Sequence, residues 1–443
     1  MPPDLSKTLA GTELIQRAGR VAAVRGQMIE SNGPAAQVGE RCRIERLRGG
    51  GDIEAEVIGF NRGVTVLMPL DLVDGICVGE RVTALGQLPG VPVGRHLLGR
   101  VLDALGNPID DAGPLPLSDH RPLRSRAPPA MRRQRVKTPM ETGVSVIDSM
   151  LTLGKGQRIG LFSGSGVGKS TLLGMLARGM RAGVAVVALI GERSREVREF
   201  VEDQLGSEGL RRSVVVVATA DQPAIVRSKA AYAATAIAEY FRDQGEDVLL
   251  LMDSLTRFAM ARREIGLAIG EPPTARGYTP SVFAELPQIC ERSGPGVAEG
   301  SITGIYTVLV DGDDLNEPVS DTLRATLDGH VVLSREIANT GQFPAVDILQ
   351  SISRLHTAIA SPADVAASRS VLAACALFER NRQLIEIGAY KPGISAALDQ
   401  VVRLMPQIRR FLSQAAGDRI ARAESLSRLR SLAEQLERSH VEE

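Results

Sequence analysis

Tryptophan is absent from the 443 residues, and aromatic side chains make up only 3% of them. A core must therefore be assembled from Val, Leu, Ile and Ala. The four cysteines, Cys42, Cys77, Cys290 and Cys375, are scattered, with no C-x-x-C pair and no histidine cluster nearby. That excludes a disulfide scaffold and a zinc site as first readings and points to reduced thiols. Long apolar runs are missing too. The longest, such as 184–190 and 248–252, fall far short of the ~20 residues a membrane-crossing helix needs. Met1-Pro2-Pro3-Asp4 opens without a basic stretch leading into an apolar one, so no secretory signal is expected. Charge of one sign is lacking as well, because 52 basic residues balance 52 acidic ones. Electrostatics thus gives no support for a general nucleic-acid binder. What is present is apolar bulk, 44% of the chain, which offsets chain entropy over two or three domains.

Three textures follow one another. From about 18 to 93, short strand-like runs such as Ile53-Glu54-Ala55-Glu56-Val57-Ile58 alternate with glycine turns, predicting a small β-barrel or sandwich. A Pro- and Arg-rich stretch at 114–135 reads as an extended segment laid over a surface. From 158 to about 347, near-continuous apolar strands at 159–162, 184–190, 214–217, 248–252, 302–310 and 331–333 are separated by helical stretches, including an Ala-rich one at 223–242. That pattern predicts a parallel sheet covered on both faces. Beyond Pro362 no strand signal remains. Leu426, Leu429, Leu432 and Leu436 recur at helical spacing, so a helical domain is expected, with this stripe as core packing rather than a partner groove.

The strongest chemical signal is Gly164-Ser165-Gly166-Val167-Gly168-Lys169-Ser170-Thr171, between an apolar strand and a helical run. Glycines let such a loop curl until its backbone N–H groups point at phosphate oxygens. Lys169 then supplies charge to the β- and γ-phosphates, and Ser170 a hydroxyl ligand for Mg²⁺. Ser163 stands at the first glycine position of the strict pattern, where a small residue still fits. This is a nucleotide-binding P-loop. The run 248–252 ends in Asp253, placed either to hold Mg²⁺ at the ligand crevice or to cap the next helix. Glu192, in Gly191-Glu192-Arg193 after the strand 184–190, reads equally as a base that polarises attacking water or as a carboxylate opening the following helix.

A fourth element is Phe343-Pro344-Ala345-Val346-Asp347-Ile348-Leu349-Gln350-Ser351-Ile352-Ser353-Arg354. It resembles the signature of rotary-type ATPase subunits. Together with the P-loop, Gly191-Glu192-Arg193, Met252-Asp253-Ser254-Leu255-Thr256-Arg257, and Pro92-Val93-Gly94 leading into Leu98-Gly99-Arg100-Val101-Leu102-Asp103, it looks most like the type III protein-export ATPases. These are flagellar and injectisome relatives of the ATP-synthase catalytic subunit. Gly270-Glu271-Pro272-Pro273 and Gly277-Tyr278-Thr279-Pro280-Ser281-Val282-Phe283 resemble the same subgroup. The resemblance runs from about Gly19 to Arg428.

By residue, the resemblance implies that Glu192 is the catalytic carboxylate and that Arg193 contacts phosphate. Phe343 would lie against the adenine, and Arg354 would be an arginine finger delivered to the neighbouring subunit's γ-phosphate. It implies an α/β fold: a RecA-like P-loop core with a parallel sheet (94–361), preceded by a small N-terminal β-barrel (18–93) and followed by a C-terminal helical domain (362–443). Residues 1–17, with apolar Leu9, Leu14 and Ile15, would bind a stator-like regulatory protein. A Mg²⁺-dependent ATPase in a homohexameric ring is implied. It would be cytoplasmic and peripheral to an inner-membrane export apparatus, with central-stalk, export-gate and substrate–chaperone partners and no nucleic acid.

Two features depart from the family pattern. Ser194 follows Gly-Glu-Arg where the subgroup often has glycine. The acidic Asp-Glu-Leu-Ser-Glu-Glu-Asp segment of ATP-synthase catalytic subunits is replaced by Ile387-Gly388-Ala389-Tyr390-Lys391-Pro392-Gly393, which favours the export ATPases. Within them, Val66-Leu67-Met68-Pro69-Leu70 looks flagellar, and an injectisome ATPase is the alternative. A hexameric RNA translocase should show a basic, aromatic N-terminal face, yet Phe60 is the only aromatic before Val93. A non-catalytic ring subunit should lack the carboxylate at Glu192.

Overall fold

A computed structural model of the chain describes residues 16–437 apart from 48, 50, 72, 117 and 118. The partner-binding segment expected at 1–17 lies outside the described residues except for its last two.

Alternating apolar and polar residues build the N-terminal unit. Strands β1 (Ala18–Arg25), β2 (Met28–Asn32), β3 (Arg41–Glu45), β4 (Ile53–Asn61), β5 (Val64–Pro69) and β6 (Arg81–Ala84) close into a barrel in the order β1-β2-β5-β4-β3-β6. Along β4, Ile53, Ala55 and Val57 are buried while Glu54 and Glu56 between them are half-exposed. Ile29, Cys42, Ile44, Leu67 and Val82 fill the rest of the interior. Closure leaves no unpaired strand edge. The buried carboxylate of Glu40 accepts hydrogen bonds from Arg17 (2.7 Å) and from the backbone N–H groups of Gln37 (3.0 Å) and Gly86 (3.1 Å), so its charge is compensated.

Strand β7 (Gly90–Val93) lies outside the barrel, whose edges are already taken. After β8 (Val101–Asp103) the chain returns as β9 (Asp119–Pro122) and pairs antiparallel with β7, drawing the Pro- and Arg-rich segment over the core. Arg292 fastens it. Its buried guanidinium grips Glu239 (2.9 and 2.8 Å) and donates to the Leu123 carbonyl (2.6 Å), while Ser125 donates to the same carboxylate.

The central sheet contains β10 (Arg158–Ser163), β11 (Val184–Glu192), β12 (Ser213–Thr219), β13 (Asp247–Asp253), β15 (Ser301–Leu309) and β16 (Gly329–Leu333), all parallel. Its order is β17-β16-β10-β15-β13-β11-β12-β8, with β17 (Ile352–Ser353) antiparallel at one edge and a short β14 (Gly294–Pro295) on β15. The parallel edge strand β8 is three residues long, too short to show a pattern in sequence.

The continuous apolar runs have a simple cause: both faces are buried. Val184, Val186, Ala188, Val248, Leu250 and Met252 face the Ala-rich helix Ala224–Asp243 and the helices Leu255–Ala268 and Pro280–Glu291. The intervening Ala185, Val187, Leu189, Leu249 and Leu251 face the other way. There they share a core with the helix Lys169–Gly179 and with the C-terminal helices Pro362–Glu386, Ala396–Leu412 and Arg422–Glu437. Leu426, Leu429, Leu432 and Leu436 are buried in that core, as their spacing predicts. Among the described residues no helix is long and apolar enough to cross a membrane. Because the strands are parallel, the C-terminal ends of β10, β11 and β13 open on one crevice.

Candidate active site

At the end of β10 the chain curls through residues 164–168 into the helix Lys169–Gly179. Gly166 (φ 78°) and Gly168 (φ 86°) adopt left-handed conformations that glycine alone takes without strain. No acidic residue occupies the first turn of the helix. Its unpaired N–H groups and positive dipole end are therefore left for an external anion. Val167 is buried and anchors the loop, while Ser165, Gly166 and Ser170 are exposed and Thr171 is half-buried. A side chain at Gly164 would collide with Asp313 and Arg335. One at Gly168 would sit 3.4 Å from the ring of Phe343, so the aromatic is packed against the exit of the loop.

The ammonium of Lys169 lies 2.5 Å from Asp253 Oδ1 and 3.7 Å from Glu192 Oε1. These three side chains come from the ends of three secondary-structure elements separated by up to 84 residues. Neither carboxylate takes up the capping alternative left open by sequence. It is Ser254, not Asp253, that caps the helix Leu255–Ala268, accepting the Arg257 N–H at 3.2 Å. Asp253 is thereby free to face Lys169, and Thr307 of β15 steadies it by donating to Oδ1 at 2.6 Å. Likewise no side chain caps the helix Ser194–Glu199, and Glu192 turns toward Lys169 instead.

Glu192 is 12% exposed, and its carboxyl is pushed up to about 7. Burial is the main cause, followed by the negative charge of Asp253. A hydrogen bond to Glu196, one helical turn on, adds to the rise, while Lys169 and Arg257 oppose it. Glu196 is held below the usual carboxylate range by the same bond. Arg257 also donates to the Gly191 carbonyl at 2.8 Å, fixing the strand end that carries Glu192. A carboxyl that titrates near neutrality beside a fixed cation can exchange a proton with bound water.

Phe343 is 46% exposed and borders a cleft of about 640 Å³ lined also by Arg410, Gln414, Arg419 and Arg428. Its carbonyl accepts the Gln414 N–H at 2.8 Å. The Gln414 side chain is buried and fully bonded. It accepts from the Ser145 N–H (2.8 Å) and donates to the carbonyls of Gly143 (2.8 Å) and Asp418 (3.0 Å). Gln414 thus ties the C-terminal helices to the aromatic beside the P-loop.

Not every sequence candidate converges. The side chain of Arg193 is 83% exposed and pairs with Glu196 at 3.8 Å. Arg354 follows β17, beside Asp328 and level with Arg158. That is the opposite end of the sheet from the P-loop, about five residues or ~16 Å down the strand and two strands across. Three contributors escaped sequence reading: Glu196, Thr307 and Gln414. The i,i+4 spacing of Glu192 and Glu196, and a threonine inside an apolar strand, were available signals for the first two. Gln414 had none.

Residues 143–353 match the nucleotide-binding domain of the ATP synthase alpha/beta family, and residues 360–431 match the C-terminal domain of the type III secretion ATPase EscN. The flagellum-specific ATP synthase of Bacillus subtilis is 51% identical over 424 residues, covering 95% of this chain and 96% of that protein. The type 3 secretion system ATPase of Xanthomonas euvesicatoria is 48% identical over 410 residues, covering 93% and 92%. The solved structure of the assembled ATPase EscN from enteropathogenic E. coli has a TM-score of 0.89 and 41% identity, covering 94% of this chain and 100% of that one. EscN in complex with its central stalk EscO gives a TM-score of 0.86 at 40% identity, with the same coverage.

Proposed function

The chain belongs to the ATP synthase alpha/beta family, in the branch of flagellar and type III secretion ATPases, and we propose that it hydrolyses ATP as a homohexameric ring to energise export of flagellar proteins. The observation that carries the reading is the convergence of Lys169, Asp253 and a near-neutral Glu192 where the P-loop opens. The loop N–H groups at 164–168 and the Lys169 ammonium hold the phosphates of the substrate. Ser170 and Asp253, both hard oxygen donors, would hold Mg²⁺, which supplies neutralising charge to the phosphates when bound. Glu192 orients the attacking water and draws off its proton, and Phe343 faces the adenine side of the cleft.

Two expectations follow from the site. Ionised Glu192 accumulates only as pH rises through about 7, so kcat/KM should fall on the acid side of that value rather than near the ordinary carboxylate range. Glu192→Gln should bind ATP normally, lose turnover by on the order of 10²-fold and abolish that acid limb. A pH profile flat down to 5.5 in the normal protein would contradict the role. Separately, Gln414→Ala should raise KM for ATP by about threefold to tenfold with a smaller effect on kcat, because a buried hydrogen-bonded network costs ~1–3 kcal/mol to break and touches only the adenine side. An equal fall in both would assign Gln414 to general folding.

Arg354, remote from its own P-loop and exposed, suits a finger reaching a neighbour. The tip between the helices Pro362–Glu386 and Ala396–Leu412 exposes Ile387 and Ile394 and supports docking of a central-stalk protein. Substrate–chaperone complexes would dock on these C-terminal helices, an export gate and a stator-like protein at 1–17 would complete the apparatus, and membrane association would be peripheral. The flagellar assignment rests on Val66-Leu67-Met68-Pro69-Leu70 in β5 and the residue after it. The match of 360–431 to the EscN C-terminal domain favours the second reading, an injectisome ATPase. A chromosomal Glu192→Gln allele separates them. Loss of hook and rod proteins from the medium supports the flagellar role, whereas intact flagellar export with loss of needle-type secretion would reverse it.

A further inference from the structure

Arg354 does not stand alone at its edge of the sheet. The helix Pro318–Thr326 ends beside it, with Arg324 in the last turn. The Leu327 N–H closes that turn onto Leu323, leaving the Arg324 carbonyl among those a helix end cannot pair. Arg354 Nη2 donates to this carbonyl at 3.0 Å, and the Arg354 N–H bonds the Asp328 carbonyl at 3.0 Å. The negative end of a helix dipole thus holds the guanidinium, and its remaining donors stay exposed.

The side chain of Arg324 lies close by and is poorly satisfied. Its Nη1 reaches the Leu315 carbonyl only at 3.5 Å, and its Nε is buried without a partner. Among the described residues neither Arg324 nor Arg354 has a carboxylate within ion-pair distance. His330, on β16, donates from Nε2 to the Gln350 carbonyl at 3.0 Å. It is pushed toward the neutral form by burial first, and then by the charges of both Arg324 and Arg354. Two guanidiniums near enough to act on one imidazole repel each other, and among the described residues backbone carbonyls, not a carboxylate, are what face them. With no carboxylate beside them, the pair is open to an anion from outside the chain.

We propose that Arg324 is a second cation of the composite site between adjacent copies of this chain, acting with Arg354 on the terminal phosphate of the nucleotide held by the neighbour, while the helix end that carries it positions Arg354. The inference rests on the in-trans role of Arg354. A phosphate is the fitting anion because it takes several N–H donors at once and gains negative charge as the reaction proceeds.

The test compares Arg324→Gln, Arg324→Lys and Arg354→Ala in assembled rings, using ATP turnover and binding of a fluorescent ATP analogue. Arg324→Gln keeps the backbone carbonyl and removes the charge. It should lower kcat about tenfold with KM nearly unchanged, and Arg324→Lys should recover most of the loss. Since both arginines serve the neighbour, mixing Arg324→Gln with Lys169→Ala subunits should restore part of the turnover. Arg324→Gln within twofold of normal, beside an inactive Arg354→Ala, overturns the proposal and leaves the finger standing. A fully active Arg354→Ala overturns the in-trans reading itself. If Arg324→Gln fails to form rings, Arg324→Lys carries the test, and a tenfold loss there despite normal assembly overturns the role of charge.

Discussion

Lys169→Ala should lose ATP turnover by on the order of 10³-fold or more and bind ATP far more weakly. Two losses combine. The first is direct, because Lys169 is the fixed cation at the helix end where phosphate charge would accumulate. The second acts through Glu192. Lys169 is one of the groups holding that carboxyl down against burial and the charge of Asp253, and even so it titrates at about 7. Removing the ammonium leaves two acidic groups facing each other in a closed crevice, and Glu192 shifts further up. At neutral pH less of it is ionised, so the remaining catalysis should recover partly as the pH is raised. Titration with a fluorescent ATP analogue and a turnover assay across pH 6–9 would separate the two effects. Turnover near that of the normal protein would remove the P-loop from the mechanism.

The residues that sequence reading reached are those whose chemistry forces a local pattern. A phosphate loop needs glycines, a lysine and a hydroxyl in immediate succession, so 164–171 is legible without any knowledge of what packs around it. The central strands are legible because both faces are buried, which leaves unbroken runs such as 248–252. What was ambiguous depended on one neighbour: Asp253 could have been a helix cap until Ser254 was seen to do that work. The N-terminal unit could have been a sandwich, since alternation along β4 is the same in either. Only the pairing of β1 with β6 closes it. Gln414 was invisible for a further reason. Two of its partners lie 269 and 271 residues away, and one glutamine in a loop carries no periodicity. Arg324 is similar, because its meaning comes from a helix-end carbonyl bonded by a second arginine thirty residues on.

Arg354→Ala should bind ATP almost normally and hydrolyse it ~10³-fold more slowly, because a guanidinium in this role stabilises charge that develops only in the transition state. The geometry makes the prediction unusual. Arg354 lies at the far end of its own sheet, about 16 Å along the strand from the P-loop, so under this reading an isolated subunit lacks what a neighbour would lend. Activity of the normal protein should therefore rise more steeply than linearly with concentration wherever rings are forming. Subunit mixing gives the direct measurement. A Lys169→Ala subunit cannot use its own site but still presents Arg354, so it should lend that arginine to an Arg354→Ala neighbour and restore some turnover to mixed rings. Gel filtration must first show that mixed rings form. Full activity of Arg354→Ala alone would refute the assignment, and activity strictly proportional to concentration would remove the dependence on a neighbour. The sheet places Lys169, Glu192 and Asp253 at one end and Arg354 at the other, so if Arg354 serves catalysis, the proposed role requires a second copy to complete each site.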